Sequence, residues 1–142
     1  MNWKLLLPLG LFGPLMGALV VLGVLPEGSD RFVWFAVVAL CAFLCARRER
    51  KRALLHGAVT GFWNGASATM AQALFFETTV RNNPILVERF AGQPSGFDLE
   101  FFMFMLVPFI GVAGGAMTGL LAMVLARVLP GRDAPGNGET TP

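Results

Sequence analysis

The sequence predicts an all-α membrane protein: a four-transmembrane-helix bundle with a short interfacial helix on its external side. Three observations carry the prediction. Apolar residues make up 55% of the 142 positions and charged residues 14%, where an ordinary soluble domain holds about 25% charged. Four runs free of Asp, Glu, Lys and Arg, at residues 5–25, 32–46, 53–76 and 101–126, are separated by charged connections. About 18 apolar residues already suffice for a spanning helix. The third observation is where the charges fall.

The chain holds 11 Lys and Arg. If Arg47, Arg48, Arg50, Lys51 and Arg52 are cytoplasmic, alternating spans place Lys4, Arg127 and Arg132 on the same side and leave only Arg31, Arg81 and Arg89 outside. The acids run the other way, with Glu27, Asp30, Glu77, Glu88, Asp98 and Glu100 external and Glu49, Asp133 and Glu139 internal. Cations resist translocation, so this asymmetry predicts cytoplasmic N- and C-termini in a multi-pass protein of a bacterial inner (plasma) membrane. A bias this strong argues against dual-topology pairing. The formal charge of +2 is too small to point to nucleic acid as a partner.

The first span, about 5–25, carries Pro8 and Pro14 among Gly10, Gly13, Gly17 and Gly23. Prolines bend helices and free carbonyls, so this span is expected to be bent and packed on protein. It exceeds the ~7–15-residue core of a signal peptide and lacks a small-x-small site before Pro26-Glu27, so it reads as a retained anchor. Pro26-Glu27-Gly28-Ser29 forms the outer turn, with Ser29 or Asp30 as cap of the next helix. The second span, about 31–47, is short for a ~30 Å hydrocarbon core. Arg31 and Arg47 extend it by snorkelling, and the helix is expected to run on into the basic stretch. Trp3 and Trp34 suit the inner and outer interfaces.

The third span, 53–76, is unlike the others. At about 100° per residue, His56, Thr60, Asn64, Ser67 and Gln72 share one half of the helix with Gly57, Gly61, Gly65 and Ala68. Ala58, Phe62, Ala66 and Met70 occupy the half expected to face lipid. The polar stripe has two readings. Its side chains bond to neighbouring helices, or they line a small cavity or permeation path. Under the first reading, Asn64→Leu and Gln72→Leu are expected to cost little.

The external connection, 77–100, contains Asn83-Pro84, a helix-start signal, and an apolar stretch at 85–90 that predicts a short surface helix stopped by Gly92 and Pro94. Ser95-Gly96-Phe97-Asp98 resembles a capping box for the fourth span, 101–126. There Gly111, Gly115 and Gly119 repeat every four residues, the period of Gly57, Gly61 and Gly65, so the two faces either pack on each other or pair two protomers. Pro108 is expected to bend the outer part of this span, and the tail 130–142 to be disordered and cytoplasmic. Cys41 and Cys45, four apart on one face in a reducing compartment, read as small packing residues.

Phe75-Phe76-Glu77, Asn82-Asn83-Pro84 and Glu88-Arg89-Phe90, followed by the Gly-rich last span, resemble small bacterial four-helix membrane proteins that carry a domain of unknown function. The resemblance implies a membrane fold and brings no reaction or site residues.

No enzyme is expected. There is no phosphate-binding Gly-rich loop, no nucleophile–base pair, and one His for any metal or haem, so no cofactor is expected either. The C-x-x-C of quinone-reducing thiol enzymes is missing, as is the first-span Glu of small multidrug exporters, and fluoride channels need a weaker charge bias. The expected function is a scaffold, accessory or oligomeric membrane subunit. Its partners are the lipid bilayer and a second copy or another membrane protein. The alternative is a minimal channel or transporter lined by the third-span stripe. Reporters fused after Arg52 and at Pro142 are expected to read cytoplasmic and one inserted near Gly92 external; an external reading at Arg52 removes the four-span topology.

Overall fold

The computed structural model describes residues 2–25, 29–93 and 97–129. The expected turn at 26–28, the residues Pro94, Ser95 and Gly96, and the tail 130–142 lie outside them. Every regular element among the described residues is helical: α1 (Trp3–Gly10), α2 (Phe12–Val21), α3 (Asp30–Arg48), a 3₁₀ turn (Arg50–Arg52), α4 (Ala53–Leu74), α5 (Phe76–Asn82), α6 (Pro84–Phe90) and α7 (Leu99–Val128). Two segments, Trp3–Val21 and Leu99–Val128, are long and apolar enough to cross a membrane.

Several boundaries depart from the sequence reading. The first apolar run is two helices, broken at Leu11. Pro14 has no N–H for the Gly10 carbonyl and its ring crowds that carbonyl, so the turn between them opens. The second helix runs into the first two residues of the basic stretch, Arg47 and Arg48, as expected, and ends there; the chain turns at Glu49 (φ −131°) into the 3₁₀ segment. The third breaks at Phe75 and resumes as α5. There the Thr79 hydroxyl shares its one proton between the Gln72 carbonyl (3.2 Å) and the Phe75 carbonyl (3.0 Å), the latter also accepting the Thr79 N–H at 2.9 Å. The last helix starts earlier than expected, and Asp98 itself is its N-cap, its carboxylate accepting from the Phe101 N–H at 3.0 Å. Pro108 lies inside α7 without interrupting it.

Helix α4 is the centre of the molecule. The α1–α2 segment runs parallel to it, α3 returns beside it, and α7 lies antiparallel along its length. Glycines set the α4–α7 register. Gly57 faces Gly119, Gly61 faces Gly114 and Thr118, and Gly65 faces Ile110 and Gly111. The two glycine faces therefore meet within one chain. A Cβ on Gly65 would stand 2.8 Å from the Ile110 carbonyl oxygen, and one on Gly115 2.8 Å from that of Ala58. Backbones this close gain dispersion contacts along both helices. Ala58 and Phe62, expected to face lipid, border this seam, with Phe62 set against Gly111 and Gly115.

A second core of small residues fills the end near the basic turn. Cys41, Ala42, Cys45 and Ala46 of α3 pack with Ala53 of α4, Ala122 and Ala126 of α7, and Leu5 and Leu9 of α1. Both cysteines are free and buried. Large apolar side chains lie instead on the outside of all four long segments, as with Leu7 (67% exposed), Phe32 (72%), Trp63 (57%) and Phe109 (69%). At the far end, Phe97 and Phe102 close on Phe90 of α6, with ring centroids 5.3–5.9 Å apart.

Gly61→Ala and Gly115→Leu are expected to lower the thermal midpoint in detergent, each costing about 1–3 kcal/mol from overpacking against backbone. Gly92, with nothing within 4 Å of an added Cβ, is the control, and Gly92→Ala should melt like the parent. Equal melting of all three would remove the close α4–α7 seam.

Candidate functional site

The polar stripe of α4 was the place where sequence chemistry concentrated. Its best-bonded member is Asn64, 2% exposed at mid-helix. The Gly13 N–H donates to Asn64 Oδ1 at 2.9 Å, and Asn64 Nδ2 donates to the Leu9 carbonyl at 3.1 Å. In an unbroken helix Gly13 N–H and Leu9 C=O would bond to each other, as residues i and i−4. Asn64 inserts its amide between them. One side chain thus bonds to both members of that interrupted Gly13–Leu9 pair, and a side chain inserted in the ladder is a recognised cause of a kink. Asn64 Nδ2 also lies 3.8 Å from Cys41 Sγ, which brings α3 to the same point. Gly13 permits the approach, since a Cβ there would meet Asn64 backbone at 2.5 Å.

Two further clamps hold the first segment to the rest. At the basic end, the Asn2 N–H donates to His56 Nε2 (3.1 Å) and Asn2 Nδ2 donates to Glu49 Oε1 (2.8 Å). His56 Nδ1 lies 3.0 Å from the Arg52 carbonyl, which can only accept, so Nδ1 carries the proton and Nε2 is the acceptor. At the opposite end, Asn82 Nδ2 donates to the Val21 carbonyl (2.8 Å) and Asn83 Nδ2 to the Val20 and Thr79 carbonyls (both 2.9 Å). These amides cover the last carbonyls of α2. Gly23, at φ 64°, completes that terminus in the left-handed conformation, with its N–H on Val20 and the Val24 N–H on Leu19.

The rest of the stripe is dispersed. Thr60 is buried against the Cys45 thiol, and its hydroxyl, like that of Thr118 on α7, has no partner in hydrogen-bond geometry among the described residues. Ser67 donates back to the Trp63 carbonyl at 2.6 Å. Gln72 lies apart, lining a cleft of about 370 Å³ between α2, α3 and α6 with Asp30, Arg31, Asn83 and Arg89. His56, Thr60, Asn64, Ser67 and Gln72 therefore do not converge on one cavity. Gly57, Gly61, Gly65, Gly111, Gly115 and Gly119 all lie at the α4–α7 seam. No group of three or more His, Cys, Asp or Glu is placed to hold a metal among the described residues.

Sequence reasoning missed Asn2, Glu49, Asn82 and Asn83 as clamp residues. For the three asparagines the available signal was their type: short amides next to helix ends, where free backbone groups need partners. Asn83 was read as the cap of α6. It stands at that N-cap position, but its side chain bonds to α2 and α5.

Comparison with protein families, with curated proteins and with solved structures finds no match for this chain. Function has to be read from the geometry itself.

The bonding pattern separates two substitutions expected to be alike. Asn64→Leu leaves the Gly13 N–H and Leu9 C=O buried without a partner, and should destabilise by about 1–3 kcal/mol. Gln72→Leu breaks no side-chain bond and should stay within about 0.5 kcal/mol of the parent. Thermal melts of the two variants in one detergent check this, and equal losses would remove the clasp.

Proposed function

We propose that this chain is a four-span membrane protein with both termini cytoplasmic, serving as a compact scaffold or accessory subunit. The single observation that carries the reading is the Asn64 clasp. The most deeply placed polar group of the third span is consumed by the backbone of the first, so the stripe joins helices where a path would need free polar groups facing water.

The four-span topology draws on the surface of the helices. Helix α3 has 19 residues and α4 has 22, about 28 and 33 Å at about 1.5 Å per residue, the length class of a bilayer core. Both expose large apolar side chains, Phe32, Phe35 and Leu40 on α3 and Leu55, Phe62 and Trp63 on α4. Water does not tolerate such a continuous apolar perimeter, whereas lipid does. The small and polar residues of α4 are what a central helix needs for close contact on three sides. The α4 and α7 glycines already meet each other, so a second copy or a different membrane protein would dock on the outer apolar faces, not through the glycine seam.

A cysteine at position 64, in a Cys41→Ala/Cys45→Ala background, provides the test. A membrane-impermeant thiol reagent is expected to leave it unlabelled in intact vesicles and to label it after denaturation. Rapid labelling of correctly assembled protein from the side of Gly92 would replace the scaffold reading with a channel lined by α4.

A further inference from the structure

Two adjacent cations of the basic turn, Arg50 and Lys51, meet Arg127, distant in sequence, at one point on the surface. The 3₁₀ turn Arg50–Arg52 and the last turns of α7 frame a shallow cleft of about 590 Å³ lined by Arg50 and Lys51 from the turn, Arg127 from α7, and Leu54 and Met123 beneath them. No carboxylate lines it among the described residues. The nearest acid in sequence, Glu49, is turned to Asn2, whose Nδ2 it binds at 2.8 Å. Arg50, Lys51 and Arg127 are exposed, and their one hydrogen-bonding contact among the described residues is Arg127 Nη2 to Met123 Sδ at 3.8 Å. The neighbouring Arg47 is otherwise occupied, stacked over Phe43 at 5.3 Å. The cleft at the opposite end, by contrast, mixes Asp30 with Arg31 and Arg89.

Cations held together beside Leu54 and Met123, with no carboxylate lining the cleft among the described residues, match one kind of ligand: an anionic head with an apolar body. Phosphate accepts several such donors at once, and basic pockets between spanning helices on the cytoplasmic side suit anionic headgroups. We propose that this cleft binds the phosphate headgroup of an anionic glycerophospholipid of the cytoplasmic leaflet, with its acyl chains lying along Leu54 and Met123. The leaflet assignment rests on the four-span topology proposed above; the ligand chemistry rests on the cleft.

The test uses the full chain in a neutral detergent, titrated separately with phosphatidylglycerol, phosphatidylcholine and inorganic phosphate, reading the thermal midpoint and lipid retention by native mass spectrometry. Phosphatidylglycerol is expected to raise the midpoint and remain bound, while the other two leave it unchanged. Arg50→Gln/Lys51→Gln/Arg127→Gln is expected to weaken the lipid by roughly fivefold per cation removed. Arg31→Gln/Arg89→Gln, at the opposite end, should bind like the parent. If the triple variant melts or sizes abnormally without lipid, Arg127→Gln alone is read, with a loss of roughly fivefold. An equal response to phosphatidylcholine, an equal response to inorganic phosphate, or undiminished binding by the cleft variants overturns the proposal. Orientation plays no part in detergent, so a reversed topology leaves these shifts in place and appears only in the reporter fusions.

Discussion

Backbone groups set free inside a protein core must find new partners, because each one left bare costs about 1–3 kcal/mol. The opened turn between Gly10 and Pro14 creates that need at the middle of the bundle, and the Asn64 amide meets it with one acceptor and one donor. Much of the arrangement depends on this exchange. It fixes the height of the first segment against α4, requires Gly13 to be bare, and draws Cys41 of α3 to the same junction. A proline that would be a defect in an isolated helix becomes the reason two helices are joined at one register.

Close approach is the second theme, and it follows from the choice of side chains. Helix α4 is encircled by α2, α3 and α7, and it presents Gly57, Gly61 and Gly65 to α7 and Asn64, Ala68 and Ala71 to Gly13 and Gly17. Large residues are displaced to the perimeter, so the interior has little bulk to bury and gains instead from backbone-to-backbone contact. The cost is visible in the Thr60 and Thr118 hydroxyls, enclosed without a partner in hydrogen-bond geometry among the described residues.

The ends of the bundle differ chemically. At one end, side-chain amides cover the last carbonyls of α2 and a mixed-charge cleft opens between α2, α3 and α6. At the other, His56 and Asn2 close the bundle while Arg50, Lys51 and Arg127 line a cleft that has no carboxylate among the described residues. A protein whose polar interior is spent on holding helices together has its remaining chemistry at these two rims. The scaffold and lipid-anchoring readings both draw on that division.

The sequence by itself determined the helical class and the charge asymmetry, because apolar run length and residue charge are legible locally. It also singled out the glycines at the α4–α7 seam and the polar residues of α4, since period and residue type are legible without coordinates. It did not determine what those residues face. Whether the two glycine rows meet each other, or whether Asn64 meets water or backbone, depends on the rotation and height of each helix, and those are set by contacts between residues some fifty positions apart, as in Gly13 with Asn64 (51 residues apart). The tertiary structure alone decided that the first apolar run is two helices spliced by the third. The same holds for the amides of Asn2, Asn82 and Asn83, which serve other helices, and for Arg127, which joins the basic turn. Each follows from a donor or charge whose partner the chain supplies only after folding.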